Sequence, residues 1–264
     1  MSQALKRIGL TVPALILALG LTAEIHASHS TESFDGSDEV VQSITLSYEQ
    51  GQLITISASI DLDGEDAAQA REAYFAQVLP IASGLGLRRD INLRIAETVV
   101  GQFEPGGYGV FSWPSAEAER GLSEHPDWLA IKALRPVAWD TLRLYSVVLE
   151  EDLELRFEAG KAYSVAVAWI NPEYPENYDR YLDALEPALN AMGARYMYRM
   201  RDPRFESHSE DGPEPGRVTF VEWQSAQDLQ AFLDSTAFAE VYPLLQQGVS
   251  RFELHRIEPQ IPTR

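Results

Sequence analysis

The chain carries one text twice. SWPSAEAERGLSEHPDWLAIKALR, residues 112–135, and EWQSAQDLQAFLDSTAFAEVYPLL, residues 222–245, align 110 positions apart without a gap. Trp113 meets Trp223, Ser115 meets Ser225, Ala116 meets Ala226 and Leu134 meets Leu244, and Trp128 stands where Phe238 stands. The same offset lays LITISASI (53–60) on YSVAVAWI (163–170), two β-rich runs of eight. It also lays YGVFSW (108–113) on VTFVEW (218–223), and LRLYSV (142–147) on FELHRI (252–257). A first helix aligns at offset 107, YFAQVLPIASGLG (74–86) on YLDALEPALNAMG (181–193), with Tyr181, Leu182, Leu185, Leu189 and Met192 at helical spacing. The three-residue slip falls in the loop that follows, where insertions are tolerated. Each copy therefore reads β-α-β-β-α-β. In front of each stands an extra strand and a Gly turn, ITLSYEQGQLITIS and LELRFEAGKAYSVAV, a pattern that predicts a leading hairpin.

The repeated words describe a corner. Trp223 ends a strand, Ser225 caps the next helix and Asp228 sits three residues on, a box-like cap. Trp113, Pro114 and Ser115 repeat the device with Pro near the helix start. Both tryptophans read as packing residues under a helix.

A β-α-β-β-α-β unit with this corner resembles the ferredoxin-like dimeric α/β-barrel superfamily, which includes antibiotic-biosynthesis monooxygenases. NPEYPENYDRYLDALEPALNAMGARY (171–196) and VTFVEWQSAQDLQAFLDSTAFAEV (218–241) look like the first helix and the strand-helix corner of a small bacterial family of unknown function within it. The resemblance implies an α+β fold, two tandem ferredoxin-like repeats at 40–149 and 150–258 that form an intramolecular pseudo-dimeric α/β barrel, with a tail at 259–264. Its relatives include cofactor-free oxygenases, isomerases and haem proteins, so fold alone does not select an activity.

Residues 1–27 read as a secretory signal: Lys6 and Arg7, then the apolar run Ile8–Leu21, then Ala27 at the cleavage position. As a helix that run would reach about 21 Å, short of the roughly 30 Å of a hydrocarbon core. This implies a periplasmic or secreted protein with no membrane attachment after cleavage. Residues 28–39 are polar and read as a flexible segment. The chain has no cysteine, so neither a disulfide framework nor a thiol nucleophile is available. The net charge of −19 makes nucleic acid a poor partner.

No zinc-binding, dinucleotide-binding or Walker signature is present, and the reading calls for no cofactor or metal. The last strand of each copy is the most informative. Leu142, Leu144, Phe252 and Leu254 share one face, expected against the helices. The other face carries Arg143, Tyr145 and Val147, and Glu253, His255 and Ile257. On the third strands the corresponding inner sets are Tyr108, Val110 and Ser112, and Val218, Phe220 and Glu222. An interior cleft with His255, Glu222 and Tyr145 could supply a base, an acid and a hydrogen-bond donor, alongside the plainer reading that these groups pair with arginines. The loops 102–109 and 209–216 occupy matching places and could cover that cleft. The leading functional expectation is an exported protein binding a small apolar or aromatic molecule. The alternatives are a cofactor-free monooxygenase or isomerase acting on a small aromatic or lactone, and a haem protein with His255 as ligand.

Overall fold

The computed structural model describes residues 42–210 and 212–261. The signal and the polar segment expected over 1–39 lie outside these residues, as do 262–264 of the tail. The first repeat runs β1 (Ser43–Tyr48), β2 (Leu53–Asp61), α1 (Glu65–Gly84), β3 (Arg88–Val100), β4 (Gly107–Trp113), the short helices α2 (Ala116–Ser123), α3 (Trp128–Lys132) and α4 (Arg135–Ala138), and β5 (Trp139–Val148). The second runs β6 (Leu153–Glu158), β7 (Ala162–Ile170), α5 (Asn177–Ala191), β8 (Arg195–Arg201), β9 (Arg204–Ser207), β10 (Arg217–Trp223), α6 (Ala226–Leu233), α7 (Thr236–Gly248) and β11 (Val249–Pro259). Among the described residues no helix is long and apolar enough to cross a membrane.

Nine of the strands form one antiparallel sheet in the order β8-β10-β7-β11-β3-β4-β2-β5-β9. Each repeat contributes four neighbours in the same internal order: β5-β2-β4-β3 from the first, β11-β7-β10-β8 from the second. The halves join where β11 pairs with β3, Ile257 opposite Ile95. At the far end β9 pairs with β5, Phe205 opposite Tyr145. Only Asp202 and Pro203 separate β8 from β9, and Asp202 takes the left-handed φ of 44°. One interrupted strand thus touches both ends of the strand order, and the sheet curls round on itself.

The strand faces sort as alternation predicts. Tyr108, Val110, Tyr145, Val218, Phe220 and Ile257 share an inner core in which the two half-sheets pack face to face. Trp223 lies under the helices of the second repeat, Trp113 and Leu142 under those of the first. The corners are built as read. Ser115 Oγ accepts from the Ala118 N–H at 3.3 Å, and Ser225 Oγ accepts from the Asp228 N–H at 3.3 Å. The first helix of each repeat ends at a glycine with positive φ, Gly86 at 91° and Gly193 at 69°, where a side chain would be strained. A Cβ on Gly86 would also stand 2.6 Å from Pro114 Cγ.

The leading hairpins are not formed. β1 pairs with β6 instead, Leu46 opposite Leu155, as a separate two-stranded ribbon. The reason is edge occupancy. β2 already pairs with β4 and β5, and β7 with β10 and β11, so neither can accept its own leader. The two leaders take each other and lay Ile44, Leu46, Tyr48, Leu155 and Phe157 on the inner core. Phe157 is fully buried there, its ring 5.0 Å from that of Tyr163. Phe157→Ala should lower the unfolding free energy by about 3–5 kcal/mol in urea titrations. Because one sheet joins both repeats, circular dichroism and tryptophan fluorescence should report a single coincident transition; two separate ones would contradict the shared sheet.

Candidate functional site

The inner core holds the titratable groups that alternation places there, but not as one constellation. His255 is fully buried, with Nδ1 2.9 Å from the Tyr108 hydroxyl and Nε2 2.9 Å from the Phe103 carbonyl oxygen. A carbonyl only accepts, so Nε2–H is the donor and Nδ1 accepts from Tyr108. Burial pushes the His255 pKa down, which keeps the ring neutral. Tyr145 is also fully buried; its hydroxyl has no hydrogen-bond partner among the described residues, and burial raises its pKa.

Glu222 sits elsewhere, opposite Tyr163 on β7. It accepts from Lys161 Nζ at 2.7 Å and from Arg195 Nη2 at 3.1 Å. Burial alone would raise its carboxyl, yet Arg195 and Lys161 hold it below the usual range. No hydrogen bond or ion pair joins Glu222 to His255 or Tyr145 among the described residues.

A second polar cluster escaped the sequence. Arg143 is 1% exposed. It donates from Nη1 to Glu253 at 2.9 Å and from Nε to Glu210 at 3.0 Å, with a further bond from Nη2 to Glu210. The Phe103 ring centroid lies 3.5 Å from its guanidinium carbon. Arg251 donates to the other Glu253 oxygen at 2.7 Å and also reaches Glu210. Two cations and two carboxylates balance, which is how a fully buried arginine is tolerated. Arg143 and Glu253 were legible as inner-face residues. Glu210 and Phe103 come from irregular segments, where no periodicity marks a direction.

Open space lies on the other face of the sheet. A cavity of about 250 Å³ separates the strands of the second repeat from α5, α6 and α7. Tyr181, Trp223, Phe238, Val249 and Phe252 are among its walls, and the exposed Tyr242 and Gln246 line it where it meets solvent. Two hydroxyls in the lining, Tyr178 Oη and Thr219 Oγ1, are buried without a hydrogen-bond partner among the described residues. Burial raises the Tyr178 pKa, so its hydroxyl remains a donor.

The repeat explains why this layer is open. Val249 occupies the position of Trp139 in the first repeat. There the Trp139 indole packs edge-on against Tyr74, 5.1 Å between centroids, and against Phe75 at 5.8 Å. Trp139 is buried in the corresponding helix-sheet core, whereas Val249 leaves that volume unfilled.

The residues present do not fit haem. Both His255 nitrogens are engaged inside the sheet, and no histidine lines the cavity. Among the described residues no group of three or more His, Asp or Glu is placed to hold a metal ion.

His255 sets a pH dependence. A ring whose folded pKa lies below its unfolded value stabilises the fold above about pH 6.5, and that contribution is lost as pH falls through the folded pKa. Glu222 is depressed by Arg195 and Lys161, so its contribution is lost only in more acid solution, and burial raises Asp90, whose contribution runs the other way and grows as pH falls. Stability measured by urea titration should therefore fall between pH 7 and 5, and His255→Gln should flatten that slope. An unchanged slope in the variant would show that His255 does not report its burial.

No curated protein matches the chain. Among solved structures, an anthrone oxidase-like protein is 13% identical with a TM-score of 0.49, covering 81% of this chain and 94% of its own. A mutant chlorite dismutase of Candidatus Nitrospira defluvii is 12% identical with a TM-score of 0.39, covering 80% and 93%. A protein of unknown function from Rhodopseudomonas palustris is 15% identical with a TM-score of 0.30, covering 41% and 82%. Residues 161–256, the body of the second repeat, match the model of a domain of unknown function (DUF1330).

Proposed function

We propose that this chain is an exported pseudo-dimeric α/β barrel that binds one small, flat, mainly apolar molecule in the helix-sheet cavity of its second repeat. The observation that carries this reading is the Trp139/Val249 difference: the same layer is filled in one copy and open in the other. The apolar walls stand open toward the Tyr242 and Gln246 mouth, where in the first copy Trp139 packs the same layer shut. Retaining the space favours a use for it. A cavity of about 150 Å³ accommodates benzene, so this one suits a ligand near the size of two fused rings. Tyr178 and Thr219 add a polar edge, which favours a ring carrying one hydroxyl or carbonyl.

Turnover by His255, Glu222 and Tyr145 has weaker support. His255 has no free nitrogen, Glu222 is doubly ion-paired, and Tyr145 shares no bond with either. The acidic surface favours neither nucleic acid nor anionic lipid as a partner.

The test is 2-naphthol binding by isothermal titration. Wild type should bind one equivalent. Val249→Trp, which copies the first repeat, should stay folded and lose at least tenfold in affinity. Thr219→Val should erase the preference for 2-naphthol over naphthalene. Equal affinity in wild type and Val249→Trp would refute the site. For export, the protein recovered from a periplasmic extract should begin at Ser28, and an uncut terminus would refute cleavage after Ala27.

A further inference from the structure

We propose that Arg143 and Arg251 form a seat for the carboxylate of an aromatic acid, a seat that Glu210 fills from within the chain. It is separate from the helix-sheet cavity, for none of its residues lines that space.

The two carboxylates in the cluster are not equivalent. Glu253 belongs to β11, which is paired on both edges, with β3 and with β7, and its side chain is 1% exposed. It cannot leave without opening the sheet. Glu210 belongs to the irregular segment between β9 and β10, and its side chain is 25% exposed. That segment is held nearby by single bonds: His208 Nε2 donates to the Trp139 carbonyl at 3.0 Å, and the Trp169 indole N–H donates to the Pro213 carbonyl at 3.0 Å. Glu210 is therefore the exchangeable partner.

Its departure would leave two guanidinium groups against one carboxylate, a net charge of +1 at a place where Arg143 has no access to bulk water. Arg143 would keep Glu253 on Nη1, but its buried Nε and Nη2 would lose their acceptor, and unsatisfied buried donors of a charged group are costly, so the position favours another anion. The geometry selects its kind. Arg143 presents Nε and Nη2 side by side to Glu210, the fork that matches a planar carboxylate. The surroundings are aromatic: Phe103 faces Arg143, and the Trp169 ring lies 4.2 Å from the Arg251 guanidinium carbon. An acid with a flat apolar body would place its carboxylate on the arginines and its ring among these faces.

The second copy shows that the seat is not a generic consequence of the fold. The positions matching Arg143 and Arg251 by the 110-residue offset are Glu253 and Thr141, and Trp169 matches Ser59. The arrangement exists once.

The experiment compares benzoate, acetate and benzyl alcohol on the full chain, read by tryptophan fluorescence and confirmed by titration calorimetry. Glu210→Gln should bind benzoate at least tenfold more tightly than wild type, and acetate and benzyl alcohol at least tenfold more weakly than benzoate. Adding Arg251→Gln should remove the gain. To separate this seat from the cavity, the series is repeated with Val249→Trp, where the gain should persist; its loss would overturn the proposal even if the cavity reading stands. A folded Glu210→Gln that binds benzoate no better than wild type overturns it, and acetate binding as tightly as benzoate overturns the aromatic class. Should Glu210→Gln not fold, Glu210→Asp serves: it keeps the charge but shortens the reach, and should show a smaller gain, with no gain counting against the seat.

Discussion

The contact between Arg143 and Glu253 sits where the two copies of the chain meet themselves. The residues are 110 positions apart, the same place in each repeat, and they are joined at 2.9 Å in the interior. In two identical subunits related by a twofold axis, equivalent positions near the axis would bring like beside like. Two buried arginines or two buried glutamates could not remain charged there. A single chain escapes this restriction because its copies can diverge. One position has become cationic and the other anionic, and the pair anchors the inner faces of both half-sheets. The difference between these two matching positions is thus what permits a charged centre in the interior.

Edge occupancy does the rest of the organising. Each repeat's first strand is central, with both edges taken, so the leading strands have no place in the main sheet. They pair with each other as a ribbon, and their alternate apolar residues cover the inner core. Closure of the main sheet leaves the same imprint. β8 ends at Arg201 and β9 begins at Arg204, so a single turn at Asp202 lets the second strand of repeat two serve both β10 and β5. What looks like an interruption is the price of joining a half-sheet to its own neighbour and to the opposite repeat.

Much of this was legible in the residues and some was not. Period-two alternation sends Leu142 and Phe252 outward and Arg143, Tyr145 and His255 inward, and the structure agrees because a strand has no third choice of face. The Ser115 and Ser225 caps are local chemistry and read directly. The hairpins failed because a Gly turn specifies that the chain reverses, not which strand then accepts it; that depends on which edges are vacant. Glu210 and Phe103 were invisible since irregular segments have no period. The cavity was in principle readable: placing Val249 under Trp139 shows a missing indole, but its meaning needs the knowledge that this position faces a helix layer.

The two layers divide between them what a single domain must compromise. An enclosed polar interior is stable when every group is satisfied, and the inner network nearly is: His255 uses both nitrogens, and Arg143 has two carboxylates. Such an interior admits a guest only by exchange, because a guest must replace bonds already made, as a carboxylate would replace Glu210 on Arg143. The helix layer of the second repeat offers the opposite terms. Its walls are apolar, its hydroxyls Tyr178 Oη and Thr219 Oγ1 lack hydrogen-bond partners among the described residues, and its counterpart in the first repeat is filled by Trp139. Since one sheet carries both layers, stability gathered by the first copy offsets the looser packing of the second. The open space therefore lies where the second copy packs less tightly than the first, in the helix layer and not in the inner core.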